Sequence, residues 1–124
     1  MNDSLVRLAL IFIAAVTVVS GAAQLVAAPL ILSMIATGSD PLSLHLFQTV
    51  GMFMVITGAM FLQTLLTRSN EDAVPLWIAI QKLAAAGLVT WGWTKGFFAP
   101  LALLVAGFDA FTGLLSIAFW KRLR

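Results

Sequence analysis

The chain has 124 residues, 61% of them hydrophobic and only 10% charged, with a mean hydropathy of +1.05. Soluble domains carry about 25% charged residues, so the composition excludes an ordinary soluble domain and predicts an integral membrane protein. Cysteine is absent and histidine occurs once, which removes disulfides, thiolate nucleophiles, thiolate metal ligands and any metal site built on several imidazoles. The formal charge of +2 gathers at one end, in Lys121, Arg122 and Arg124, and reads as a cytoplasmic stop, with no nucleic-acid partner expected.

A span needs about 20 mostly apolar residues to cross about 30 Å of hydrocarbon. Four runs meet that requirement. The first covers residues 8–32 and follows Arg7. At about 25 residues it exceeds the 7–15 of a signal-peptide core, so it reads as a retained span. Thr17, Ser20, Gly21, Gln24 and Ala28 form its small and polar stripe, and Pro29 is expected to kink or end the helix near the outer surface. Gly38, Asp40 and Pro41 break the chain before a second run at 42–66, which starts near His45 and carries Gln48, Gly51, Val55 and Gly58 on one face. Residues 67–72, with Arg68, Glu71 and Asp72, read as an ordinary solvated loop.

The third run, 73–93, places Ala79, Lys82, Ala86, Thr90 and Trp93 along one stripe. The fourth, 97–120, repeats Ala102, Ala106, Asp109, Gly113 and Ser116 at steps of three and four, the spacing of one helical face. The turn between these runs, 94–96, is so short that they must form an antiparallel hairpin. The fold class expected is all-α: a single-domain, antiparallel, integral membrane four-helix bundle.

An even number of spans leaves both termini on one side. That side holds Arg7, Arg68, Lys121, Arg122 and Arg124, and the other holds only Lys95. The positive-inside rule therefore predicts cytoplasmic termini. Trp77 and Trp120 near one interface and Trp91 and Trp93 near the other fit aromatic belts.

Within the four runs only Lys82 and Asp109 carry a full charge, each near the middle of its span. A charged side chain at the bilayer centre costs roughly 2.5–3.5 kcal/mol even on insertion scales, so such residues face a protein interior and find a partner. Counted from the outer ends of their helices, the two levels differ by roughly 3 Å, a gap that a lysine stem covers. They are expected to pair with each other. The plain reading of that pair is a clamp between helices; the sharper readings are a proton relay, a ligand counter-ion or a docking charge. Gln48 and Gln24 sit higher in the outer half and are expected to extend a polar track inward, with His45 and Trp91 at its outer end.

The spacing of the four spans, the proline after the first helix, Phe47-Gln48-Thr49-Val50-Gly51 to Gly58 in the second, Lys82-Leu-Ala-Ala-Ala-Gly87 in the third and the acid in the fourth resemble the DoxX-like superfamily of small bacterial four-helix membrane proteins. The resemblance implies a bundle in a bacterial inner membrane that acts with a partner, as the membrane subunit of a thiosulfate:quinone oxidoreductase does. It carries over no catalytic residue. Small multidrug exporters also pack four spans into a chain of this length, but their essential acid lies in the first span, where this chain has Gln24.

The expected function is therefore an accessory or anchoring subunit of a larger membrane complex, redox complexes included. Gln24, Gln48, Lys82, Asp109 and Trp91 suit a pocket for a quinone, lipid or pigment. The alternative is a small oligomeric transporter with the same residues lining its path. One histidine and no cysteine weigh against an enzyme, and no intrinsic cofactor or metal is expected.

Overall fold

A computed structural model describes residues 2–124. The chain is all-helical: α1 (Asp3–Val26), α2 (Ala28–Ile35), α3 (Pro41–Thr67), α4 (Val74–Thr94) and α5 (Leu101–Arg122). All but α2 are long and apolar enough to cross a membrane. The starts of these helices are legible in local chemistry. The side chain of Asn2 caps α1 by accepting from the Ser4 N–H. Asp40 caps α3 in a reciprocal box with Ser43, and Pro41 supplies a preset φ in the first turn. The Ser43 N–H, 2.7 Å from Asp40 Oδ1, holds that carboxyl below the usual carboxylate range.

The helices pair as two antiparallel hairpins, α1 with α3 and α4 with α5, with far fewer contacts between the pairs than within them. Glycine sets the close approach in the first pair. A Cβ on Gly21 would lie 2.6 Å from the Gly51 carbonyl oxygen, and one on Gly51 would lie 2.7 Å from that of Gly21. Small residues replace the apolar driving force that is missing between helices in lipid, because they let backbones come within dispersion range. In the second pair Gly113 does the same work against Leu83 and the Ala79 carbonyl.

The two hairpins close on each other at the end that carries both chain termini. Leu10, Ile13, Phe61, Leu65, Ile78 and Phe119 are buried there in one cluster. Charged groups clasp the same end. Arg7 pairs with Glu71, donates to the Leu65 carbonyl at 2.9 Å and lies 5.1 Å from the centre of the Phe119 ring. Arg122 meets Asp3 at 2.7 Å, and the Trp120 indole N–H donates to the Asp72 carbonyl at 2.8 Å. Residues 67–72 are thus more than the solvated loop expected: Glu71 is half-buried and joins α1 to the α3–α4 connection.

The opposite end breaks beside Pro29, which was expected to kink or end the helix, and adds one element that was not expected. The first apolar run is not a single helix. Helix α1 stops at Val26, Ala27 takes a non-helical φ of −132°, and α2 restarts with Pro29 in its first turn. Proline cannot accept a place inside a continuous helix without losing a hydrogen bond, but it suits a first turn. The new helix takes in Ser33–Ile35, which were expected to be loop, and bends back over the bundle to touch α3 and α5. A single bridge between Ala36 and Phe98 fixes it: Thr37 donates to Phe97 O at 3.0 Å and Ala99 donates to Ile35 O at 2.8 Å.

These contacts separate two classes of glycine. Gly21→Val should cost about 1–3 kcal/mol through overpacking, read as a lowered thermal midpoint in detergent. Gly107→Ala, where a Cβ meets nothing within 4 Å, should be neutral or stabilising by up to about 1 kcal/mol.

A candidate ligand cleft between the hairpins

Joined at one end, the hairpins leave a cleft between them in the other half. Its volume is about 810 Å³, within the ~300–1,000 Å³ typical of small-molecule sites. The walls are mostly apolar, and every helix contributes. Val16, Val19 and Ala23 come from α1, Val50 and Met54 from α3, Ala85 and Val89 from α4, and Leu104, Val105 and Phe108 from α5. Ile31, Met34 and Ile35 of α2, with Phe98, close its outer end as a roof.

Lys82 and Asp109 stand at the floor. Lys82 Nζ lies 3.3 Å from Asp109 Oδ1 and 3.2 Å from Thr17 Oγ1, and the Thr17 hydroxyl donates onward to the Ile13 carbonyl at 3.0 Å. The lysine and aspartate side chains are 8% and 14% exposed. The geometry follows from helix register: roughly 18 Å of helix separates Lys82 from the end of α4, and roughly 12 Å separates Asp109 from the start of α5. Thr17 on α1 completes the site, so the charged floor joins the two hairpins. Two of the three ammonium hydrogens have partners, and the third has none among the described residues.

The expected residues divide between this cleft and the surface. Gln24 is buried, lines the cleft and donates to the Phe47 carbonyl at 3.1 Å. Gln48 makes the reciprocal bond, donating to the Leu25 carbonyl at 3.1 Å, and lies outside the cleft. The pair is an amide clamp across α1 and α3, and the track expected through Gln48 does not form. His45 is exposed, and its carbonyl accepts from the Thr49 hydroxyl. Trp91 is 58% exposed and stacks under Lys95, whose Nζ lies 4.1 Å from the ring centre. Neither His45 nor Trp91 reaches the site.

Three polar residues belong to the site without having been singled out for it. Thr17 and Ser20 were visible only as members of a small-residue stripe. Gln81 lines the cleft beside Lys82 yet is exposed, and a glutamine mid-span in an apolar run was its one available signal. Below the floor, Thr112 and Ser116 on α5 are fully buried, and their hydroxyls have no partner among the described residues.

Comparison with family models, curated proteins and solved structures gives no match to this chain.

An ion pair enclosed by protein behaves asymmetrically on substitution. Lys82→Met or Asp109→Leu alone strands the other charge and should destabilise by about 3–5 kcal/mol. The double substitution should recover most of that loss, and a double-mutant cycle of chemical denaturation in detergent measures the recovery.

Proposed function

We propose that the protein is an accessory membrane subunit that holds a lipid-phase molecule in the cleft, with one polar group of that molecule at Lys82. One observation carries this reading: α2 lines one end of the cleft, and side chains that line its sides are exposed on the outer surface of the bundle. Val19 and Leu104, 68% and 71% exposed, stand at the rim, and in a membrane they face acyl chains. A ligand therefore arrives from the side, within the bilayer. Apolar walls with a few convergent polar groups are the usual composition of a small-molecule site.

Quinones, lipids and pigments share this form, an apolar body ending in a carbonyl or hydroxyl. The floor suits such a neutral group. The lysine and aspartate charges cancel, while the ammonium offers a donor and Ser20 and Gln81 offer further polar atoms in the same cleft. In this reading the basic end of the bundle, with Arg7, Arg68, Lys121 and Arg124, lies in the cytoplasm of a bacterial inner membrane, and larger partner subunits or further copies of the chain meet its lipid-facing helices. The resemblance to DoxX-like proteins points the same way.

A transporter is the second reading. It is favoured by the descent of Gln24, Ser20, Thr17 and Lys82 along one side of the cleft. It requires a route for an aqueous solute past α2, which stands across the outer end.

Native mass spectrometry after gentle detergent extraction separates the two. The accessory reading predicts the 13.3 kDa chain bound to larger subunits and carrying an added non-protein mass. Leu104→Trp, which narrows the rim, should lower the occupancy of that mass without removing the subunits. A chain that extracts alone or as a small homo-oligomer, and moves a solute in proteoliposomes, would establish the transporter.

A further inference from the structure

The floor of the cleft holds more than a hydrogen-bonding group. A primary amine opens onto an apolar chamber, with a carboxylate 3.3 Å away. An amine so placed can react with a carbonyl carbon, and lysines use this chemistry in covalent catalysis and cofactor attachment. We propose that Lys82 is an imine-forming site for a long-chain or polyene aldehyde, with Asp109 as its proton carrier and counter-ion. The inference rests on the reading of the cleft as a lipid-phase ligand site, and it names the ligand's reactive group.

The step balances within the pair. Asp109 takes a proton from the Lys82 ammonium, and the freed amine attacks the aldehyde carbon. A C–N bond forms, and the nitrogen passes a proton to the former carbonyl oxygen to give a carbinolamine. Asp109 then returns its proton to that hydroxyl, the C–O bond breaks, and water leaves through the cleft. The product is an iminium facing a carboxylate. The site begins as an ammonium with a carboxylate and ends as an iminium with a carboxylate. Its net charge does not change, and no outside acid, base or redox partner is needed.

Three features favour this use over a simple clamp. A buried ion pair replaced by well-packed apolar residues is often neutral or stabilising, so clamping alone does not require one. The pair also lies against the cleft and not in the packed half, where a clamp between hairpins would meet closer walls. Finally, Thr17 accepts from Lys82 Nζ on the side of α1 and so helps to fix the nitrogen at the floor. Arginine would serve a clamp equally well, but it could not form the imine.

The chain has three lysines, Lys82, Lys95 and Lys121, which makes the test specific. The full-length K95R/K121R protein in lipid nanodiscs is incubated with all-trans-retinal, reduced with cyanoborohydride and mapped by peptide mass spectrometry. The expected result is one retinyl adduct per chain on Lys82. Before reduction the absorption should be red-shifted, as for a protonated imine, and Asp109→Asn should move it: to longer wavelength while the imine keeps its proton and to shorter wavelength once the proton is lost. Lys82→Arg on the same background keeps the charge and should lose the adduct. Retinol, which cannot form an imine, is bound in parallel. Retention of retinol without any adduct on Lys82 would overturn the imine and leave the ligand cleft standing. Loss of both would overturn the cleft reading as well. An adduct on Lys82 whose absorption ignores Asp109→Asn would overturn the role given to Asp109.

Discussion

An ammonium in the middle of a hydrocarbon layer has to be enclosed, and the rest of this bundle is arranged around that requirement. Lys82 reaches Asp109 within its own hairpin and Thr17 on the other. The contact therefore closes the α4–α5 pair on itself and ties it to α1. Enclosure is incomplete by design of the packing. Below the charged floor, the hairpins meet through large apolar side chains and a fully buried Phe119. Above it they part, and the floor becomes the bottom of a chamber. The same two residues are thus the upper limit of the packed half and the lower limit of the open half.

The two ends of the bundle solve different problems. At the end with the termini, Arg7, Glu71, Asp3 and Arg122 hold α1, the α3–α4 connection and α5 together; the Arg7–Glu71 pair is largely buried, and the more exposed Arg122–Asp3 pair adds little by itself. The value of that clasp lies in its convergence with the apolar cluster beneath it. At the other end no such cluster joins the hairpins among the described residues. Backbone hydrogen bonds at the Ala36–Phe98 bridge link the first hairpin to the second, and α2 spans the gap above the chamber. A packed cluster at one end and a cleft lined by α2 at the other leave the pocket in one half of the bundle.

Much of the architecture was legible in the sequence because the bilayer simplifies the physics. Length and hydropathy alone delimit four spans, and most of the small-residue faces of α4 and α5 follow from helical spacing: Ala79, Lys82 and Ala86 are buried, as are Ala102, Ala106, Gly113 and Ser116, whereas Thr90 and Trp93 at the outer end of the α4 stripe are exposed. The break at Ala27 was harder to place. An apolar run that continues past a proline has the same hydropathy whether it extends one helix or starts another, so Pro29 signalled a disturbance without revealing α2. The site was legible in its charges and in Gln24, and less so elsewhere. Gln81 is adjacent to Lys82 in sequence but about 100° away around the helix, and whether that direction faces lipid or a chamber depends on how far the hairpins part. Trp91 and His45 share the chamber's outer half by depth, but not its direction. Depth is readable from sequence here; the azimuth of a helix facing a gap is not.

In the proposed reading, the chamber above Lys82 and Asp109 opens to the lipid phase and not to water. The chain contains no cysteine, so a single spin label at Ser20→Cys reports on the chamber alone. Its relaxation in vesicles can be compared in the presence of oxygen, which concentrates in the bilayer, and of a water-soluble nickel chelate. An opening to lipid gives strong relaxation by oxygen and little by nickel. Strong relaxation by nickel would show an aqueous vestibule through the α2 end, and weak relaxation by both would show that the hairpins close on each other along their whole length; either result would contradict a chamber open to the bilayer.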